Sequence, residues 1–127
     1  MVFETSYLGG GRLDPPFYPT KPKPYTLGRR ITIPNGTGPV IDSFTLSFDV
    51  ELIAVAVDAR RNEELDRWDL KVNSNLVIES SYIKRVPQGI YLMAIVPVKA
   101  GEKIELIYHN DSGSNKSVAV DFSMLRD

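Results

Sequence analysis

Proline and glycine are unevenly distributed in this chain, and that unevenness limits what can form where. Seven of the nine prolines and six of the nine glycines lie within residues 1–39. Proline fixes φ, removes a backbone donor and pushes the residue before it toward extended geometry. Gly9-Gly10-Gly11, Pro15-Pro16, Pro19, Pro22 and Pro24 follow one another closely. The expectation for residues 1–27 is therefore extended, polyproline-like chain without a core of its own. A short strand over 29–33 precedes the turn-rich segment Pro34-Asn35-Gly36-Thr37-Gly38-Pro39. Residues 1–39 are read as an extended N-terminal arm and residues 40–127 as the packed domain.

The arm also carries Phe3, Tyr7, Leu8, Phe17, Tyr18 and Tyr25. Disordered tracts are poor in such side chains, so these six are candidates for contact with the arm's own domain or with a neighbouring subunit. Charge points the same way. Residues 1–39 hold Arg12, Lys21, Lys23, Arg29 and Arg30 against Glu4 and Asp14, a net of +3; residues 40–127 hold ten basic and fourteen acidic side chains, a net of −4. A basic arm suits an acidic surface.

From residue 40 onward the pattern has period two. Phe44, Leu46, Phe48 and Val50 alternate with Ser43, Thr45, Ser47 and Asp49, as in a half-buried strand. Residues 52–57 are apolar on both faces, which predicts a central strand. The run 40–59 exceeds one typical strand, so a break is expected near 49–51. Residues 67–72 and 76–80 flank Asn73-Ser74-Asn75, a hairpin by composition. Residues 90–98 are apolar enough to be read as another central strand. In 103–109 one face holds Ile104, Leu106 and Tyr108; in 116–125 one face holds Val118, Val120, Phe122 and Met124. No segment offers a helix long enough for a parallel crossover. The fold class is all-β, an antiparallel β-sandwich of jelly-roll-like type with an extended Pro-rich N-terminal arm.

The sequence offers little for catalysis. There is no cysteine, which excludes disulfides and thiolate metal sites. The N-terminus lacks the pattern of a secretory signal, and the longest apolar stretch, 52–57, is far short of a membrane span. The chain is read as made in the cytoplasm, with no membrane partner. No basic stripe with interleaved aromatics is present, so no direct nucleic-acid contact is assigned. His109 is the only histidine, and Asp111, Ser112 and Ser114 stand close to it in sequence. That loop reads as an ordinary hairpin tip, and His109 as a strand-end residue bonded to backbone or to a carboxylate. Asp58, Glu63, Glu64, Asp66 and Asp69 lack EF-hand spacing. With Arg60, Arg61 and Arg67 they read as a solvated, salt-bridged loop. Asn110, Asp111, Ser112, Ser114 and Asn115 form an oxygen-rich tip, a weaker cation candidate. No catalytic residue, metal ligand or cofactor is assigned. For a carbohydrate reading, Trp68, Tyr82 and Tyr91 are the aromatic candidates for stacking on a sugar ring. Trp68 shares the parity of Leu70 and Val72 and reads as core first.

The runs Trp68-Asp69-Leu70-Lys71-Val72-Asn73, Ile90-Tyr91-Leu92-Met93, Ala100-Gly101-Glu102-Lys103-Ile104 and His109-Asn110-Asp111-Ser112-Gly113, with Lys116, are strand-and-turn signatures. Together, over about residues 67–125, they resemble small β-sandwich virion structural proteins of tailed bacteriophages. The resemblance implies a non-enzymatic decoration or accessory subunit of a virion. It also implies assembly as a trimer or another symmetric oligomer, contact with another virion protein, and no catalytic residue. The alternative expectation is a carbohydrate-binding β-sandwich module with a glycan as ligand.

Overall fold

The computed structural model describes residues 19–59, 65–84 and 89–127, together with the backbone of 6–8 and 11–13. Two short strands, β1 (Ser6–Leu8) and β2 (Gly11–Leu13), pair antiparallel as a separate two-stranded sheet. Eight strands follow: β3 (Lys23–Ile33), β4 (Pro39–Thr45), β5 (Val50–Ala59), β6 (Arg67–Val72), β7 (Asn75–Tyr82), β8 (Gly89–Val98), β9 (Lys103–His109) and β10 (Lys116–Arg126). They form two four-stranded antiparallel sheets, ordered β3-β10-β5-β8 and β4-β9-β6-β7. Counted from β3 as the first strand, these orders are 1-8-3-6 and 2-7-4-5, the double Greek key of a jelly roll. Among the described residues no helix is long and apolar enough to cross a membrane.

Alternation builds the core. Inward positions of β10 (Val118, Val120, Phe122, Met124) and of β9 (Ile104, Leu106, Tyr108) are buried, and they meet Val50, Leu52, Val55 and Val57 of β5 and Trp68, Leu70 and Val72 of β6 in one cluster. Fully burying each such side chain contributes about 1.5–3 kcal/mol before ordering costs. The rings of Phe44 on β4 and Phe122 on β10 meet edge to face across the two sheets, with centroids 5.1 Å apart. The β6–β7 hairpin turns on Asn73 and Ser74, both at positive φ (50° and 66°). That geometry is the type I′ turn, whose twist matches the flanking strands.

The boundary expected at residue 39 is corrected. β3 pairs along its whole length with β10, from Lys23 opposite Arg126 to Ile33 opposite Lys116, and Ile31 and Ile33 are buried in the core. The proline-rich composition misled because β3 is an edge strand. A proline there leaves its missing N–H on the unpaired side, and Pro24 sits opposite Leu125 without breaking the sheet. Tyr25 is likewise part of the body, its ring 5.3 Å from that of Phe48. The basic character assigned to the arm moves with β3. Lys21, Lys23, Arg29 and Arg30 belong to the sandwich or its first residues, leaving Arg12 against Glu4 and Asp14 in residues 1–18.

The reading of residues 90–98 as central is also corrected. β8 is an edge strand, hydrogen-bonded on one side only, to β5. Residues 52–57 do lie in an inner strand, between β10 and β8.

Candidate functional site

At one end of the sandwich the loop after β9 meets the loop after β3 and the residue leading into β6. Asp66 and Asn110 are fully buried there, and Lys116 nearly so. The Lys116 ammonium donates to Asp66 Oδ2 (2.5 Å), Asn110 Oδ1 (2.5 Å) and Ser112 Oγ (2.7 Å). Asp66 also accepts from the Tyr108 hydroxyl (2.7 Å) and the Ser112 backbone N–H (2.8 Å). Burial alone pushes the Asp66 carboxyl up, but the Lys116, Ser112 and Tyr108 donors outweigh it and hold it below the usual range. Asn110 turns its amide nitrogen outward to the carbonyls of Pro34, Gly36 and Ser114, at 3.2, 2.8 and 3.1 Å. This one side chain therefore ties the two loops together.

Two sequence readings change here. Asp66 is not part of a solvated loop, and Asn110 is not an exposed tip residue. The oxygens considered for a cation are met by the Lys116 ammonium, which already supplies a positive charge among them. Glu63 and Glu64 lie outside the described residues, Asp58 is exposed, and no group of acidic or histidine side chains among the described residues is arranged to hold a metal. A buried, fully paired network of this kind orders the structure around it.

His109 bonds to a carboxylate, that of Asp69 rather than Asp111: its Nε2 is 2.7 Å from Asp69 Oδ2. Asp69 Oδ1 accepts the Ser80 N–H at 2.6 Å. Burial pushes Asp69 up, and the Ser80 N–H, His109 and Arg67 together bring it below the usual range. Asp111 pairs instead with Arg67 (3.1 Å), and Ser112 is engaged by Lys116. The histidine thus faces Asp69, and among the described residues no serine is shown hydrogen-bonded to its ring. Asp69 instead pins a bulge in β7, where Glu79 and Ser80 fall between the pairs Trp68–Ser81 and Leu70–Ile78, with Ser80 at φ 52°.

The other notable region is the edge formed by β7 and β8. Leu76 (48%), Tyr82 (52%), Tyr91 (79%) and Met93 (89%) are exposed along it. Between the two strands the sandwich stays open as a cleft of about 410 Å³, lined by Val77, Ile78, Ile90, Leu92 and Val96. Opposite this edge, β3 and β4 are closed. Arg29 grips Asp42 with two hydrogen bonds (2.6 and 2.9 Å) and lies over the Phe44 ring at 4.5 Å. Within β8 the ladder to β5 is broken: Ala54 pairs with Tyr91 and Leu52 with Val96, so Ile53 alone faces residues 92–95. Larger by volume, about 590 Å³, is a wide-open trough of mixed polarity at the loop end, bordered by Thr32, Ile33, Pro34, Asn35, Asn115 and Ser117. It gathers hydroxyls and amides without an aromatic platform.

The chain approaches the open edge from its N-terminal side. Glu51, on the outer face of β5 beside Pro97 of β8, accepts the Thr20 N–H (2.9 Å), the Thr20 hydroxyl (2.9 Å) and the Lys21 N–H (2.8 Å). Residues 19–22 therefore cross from β3 over β10 to β5, toward β8.

Of the sugar-stacking candidates, Trp68 is in the core at 3% exposure and cannot present its face, whereas Tyr82 and Tyr91 are exposed. Phe3, Phe17 and Tyr18 lie outside the described residues. Tyr7 and Leu8 lie in β1, described by its backbone alone. The exposure of Met93 and Leu76 was missed from sequence. Pro97 was the available signal, because proline is excluded from central strands.

Two four-stranded antiparallel sheets in jelly-roll order, with a buried polar network at one end and an exposed apolar edge, define an all-β sandwich protein. The chain belongs to the family described as "Domain of unknown function (DUF8551)", whose model matches residues 21–127. That range begins two residues before β3 and agrees with a body that includes this strand. No curated protein matches the chain. A solved structure titled "Crystal Structure of FLHE" is similar over 84% of this chain and 100% of that one, with a TM-score of 0.44 and 15% identity.

Proposed function

We propose that this protein is a non-enzymatic structural subunit that associates with copies of itself through the open β7–β8 edge and its N-terminal arm. The proposed setting is a virion, as a decoration or accessory component. One observation carries the reading: Tyr91 and Met93 stand almost bare on an edge strand whose neighbouring cleft is apolar. Contiguous exposed apolar surface of this kind marks interaction sites. The jelly roll is a fold that viral capsid domains use, and lectin domains use it too, so the fold alone does not decide between the readings. The virion setting rests on the strand-and-turn resemblance over about residues 67–125.

Light scattering on the full chain tests the assembly reading. A defined oligomer that dissociates in Met93→Asp, with its unfolding transition unchanged, is the expected result. A monomer at all concentrations overturns it. Antibody labelling of purified phage particles from the producing lysate tests the setting, and unlabelled particles count against it.

Tyr82 and Tyr91 support a second reading, carbohydrate binding at the same edge. It requires glycan affinity that Tyr91→Ala abolishes in a chain whose oligomeric state is unaltered.

A further inference from the structure

Resting on the assembly reading, we infer that the apolar face of β8 is the seat for the N-terminal segment, residues 1–18, of a second copy of this chain. Four observations converge on that occupant. The first is where the segment departs. Thr20 and Lys21 are held on Glu51 through three donors, the two backbone N–H groups and the Thr20 hydroxyl, one strand away from β8. The segment thus leaves the body on the side that carries the seat, and two copies meeting there place each segment against the other's edge.

The second is that no described residue covers the seat. Tyr91 and Met93 are 79% and 89% exposed, and β1 and β2 form a two-stranded sheet of their own, separate from both sheets of the body. A two-stranded hairpin alone is marginal in water and needs a surface to rest on. The third is chemical match. Residues 1–18 carry Phe3, Tyr7, Leu8, Leu13, Phe17 and Tyr18 and little net charge, and the seat is apolar. Attraction between them is therefore hydrophobic and largely indifferent to salt. The fourth is reach. With β1 and β2 folded back on each other, the five residues 14–18 that join the hairpin to the anchored Thr20 can span up to roughly 17 Å, more than the spacing of about 5 Å between neighbouring strands.

Phe17 and Tyr18, three and two residues before the anchored Thr20, are the first large side chains to emerge and are assigned to the Tyr91–Met93 surface. Exchanged arms of this kind bind by contacts that the isolated body cannot satisfy, which explains why an edge so apolar is left open.

The chain has no cysteine, so engineered thiols report without background. Two full-length variants, Phe17→Cys and Met93→Cys, are prepared separately, mixed, and treated with a short bis-maleimide. The expected result is a covalent link between one chain of each kind, with Thr26→Cys on the outer face of β3 giving none in place of Met93→Cys. No link in the mixture overturns the inference, as does a Phe17→Cys/Met93→Cys double variant that closes only within one chain. Equal linking to Thr26→Cys overturns it as well. Light scattering on the same samples separates the two levels. An oligomer without the link removes the arm from the interface but keeps the assembly reading, whereas a monomer removes both.

Discussion

The loop end of the sandwich and its β7–β8 edge use side chains in opposite ways. At the loop end, groups that prefer water are inside: Asp66, Asn110 and Lys116 are buried. Along the edge, groups that avoid water are outside: Leu76, Tyr82, Tyr91 and Met93. Either inversion is costly if left uncompensated. The loop end is compensated within the chain, since each buried polar side-chain atom among the described residues has a partner. The edge has no compensation in the described residues, and the proposed self-association is what would supply it.

Breaking the loop end has the largest effect. Asp66→Ala leaves the Lys116 ammonium buried without its carboxylate, and loss of about 3–5 kcal/mol is expected in urea unfolding. A loss below about 1 kcal/mol means the network relaxes into water and the contrast with the edge disappears.

Acid is the next lever. Asp66 and Asp69 are both held below the usual range in the folded chain. The unfolded chain therefore takes up their protons first. The stability they provide is fully present above the ordinary aspartate value of about 3.9 and is lost as pH falls through the lower folded values. Urea midpoints near neutrality and at about pH 3 should differ, and the difference should shrink in Asp66→Asn. A midpoint independent of pH over that window contradicts the assignment.

The closed edge comes third. Arg29→Leu removes the two bonds to Asp42 and the contact with Phe44, at a cost of about 1 kcal/mol because both side chains are partly exposed. Differential scanning calorimetry should show a small downward shift in Tm. If Arg29→Leu instead promotes association, the closed edge was guarding an apolar surface of its own.

Least affected in stability is the open edge. Met93→Asp should stay within about 0.5 kcal/mol of the parent in denaturant, while self-association weakens by roughly tenfold or more in sedimentation. Similar losses of stability and association would make Met93 part of the fold rather than of a contact.

Much of the body was legible in the sequence because it depends on local alternation. β9 and β10 follow from Ile104, Leu106 and Tyr108 and from Val118, Val120, Phe122 and Met124. The Tyr108 hydroxyl on the buried face and His109 on the opposite face both find carboxylates, as strand-end polar groups expected to be paired. Trp68 is in the core, as its parity with Leu70 and Val72 suggested. The remainder depends on partners distant in sequence. Asp66 ends a charged run and looks solvated until Lys116, fifty residues later, is folded against it. The β3 strand is hidden by its flanking prolines, because only its edge position makes Pro24 tolerable. β8 reads as central from its apolarity, and the surface it forms became visible only once the sheet order placed it outside.

The prolines carry one further consequence. A sandwich with open ends has four edge strands, and here β3, β4 and β8 contain Pro24, Pro39 and Pro97, while β7 is broken by the bulges opposite Asp69 and between Leu70 and Lys71. Each interruption removes or displaces backbone groups that an incoming strand would need. Edge-on-edge pairing of copies into a continuous cross-β ribbon is thereby disfavoured at all four edges of the two main sheets. Concentrated solutions of the protein should resist forming fibres.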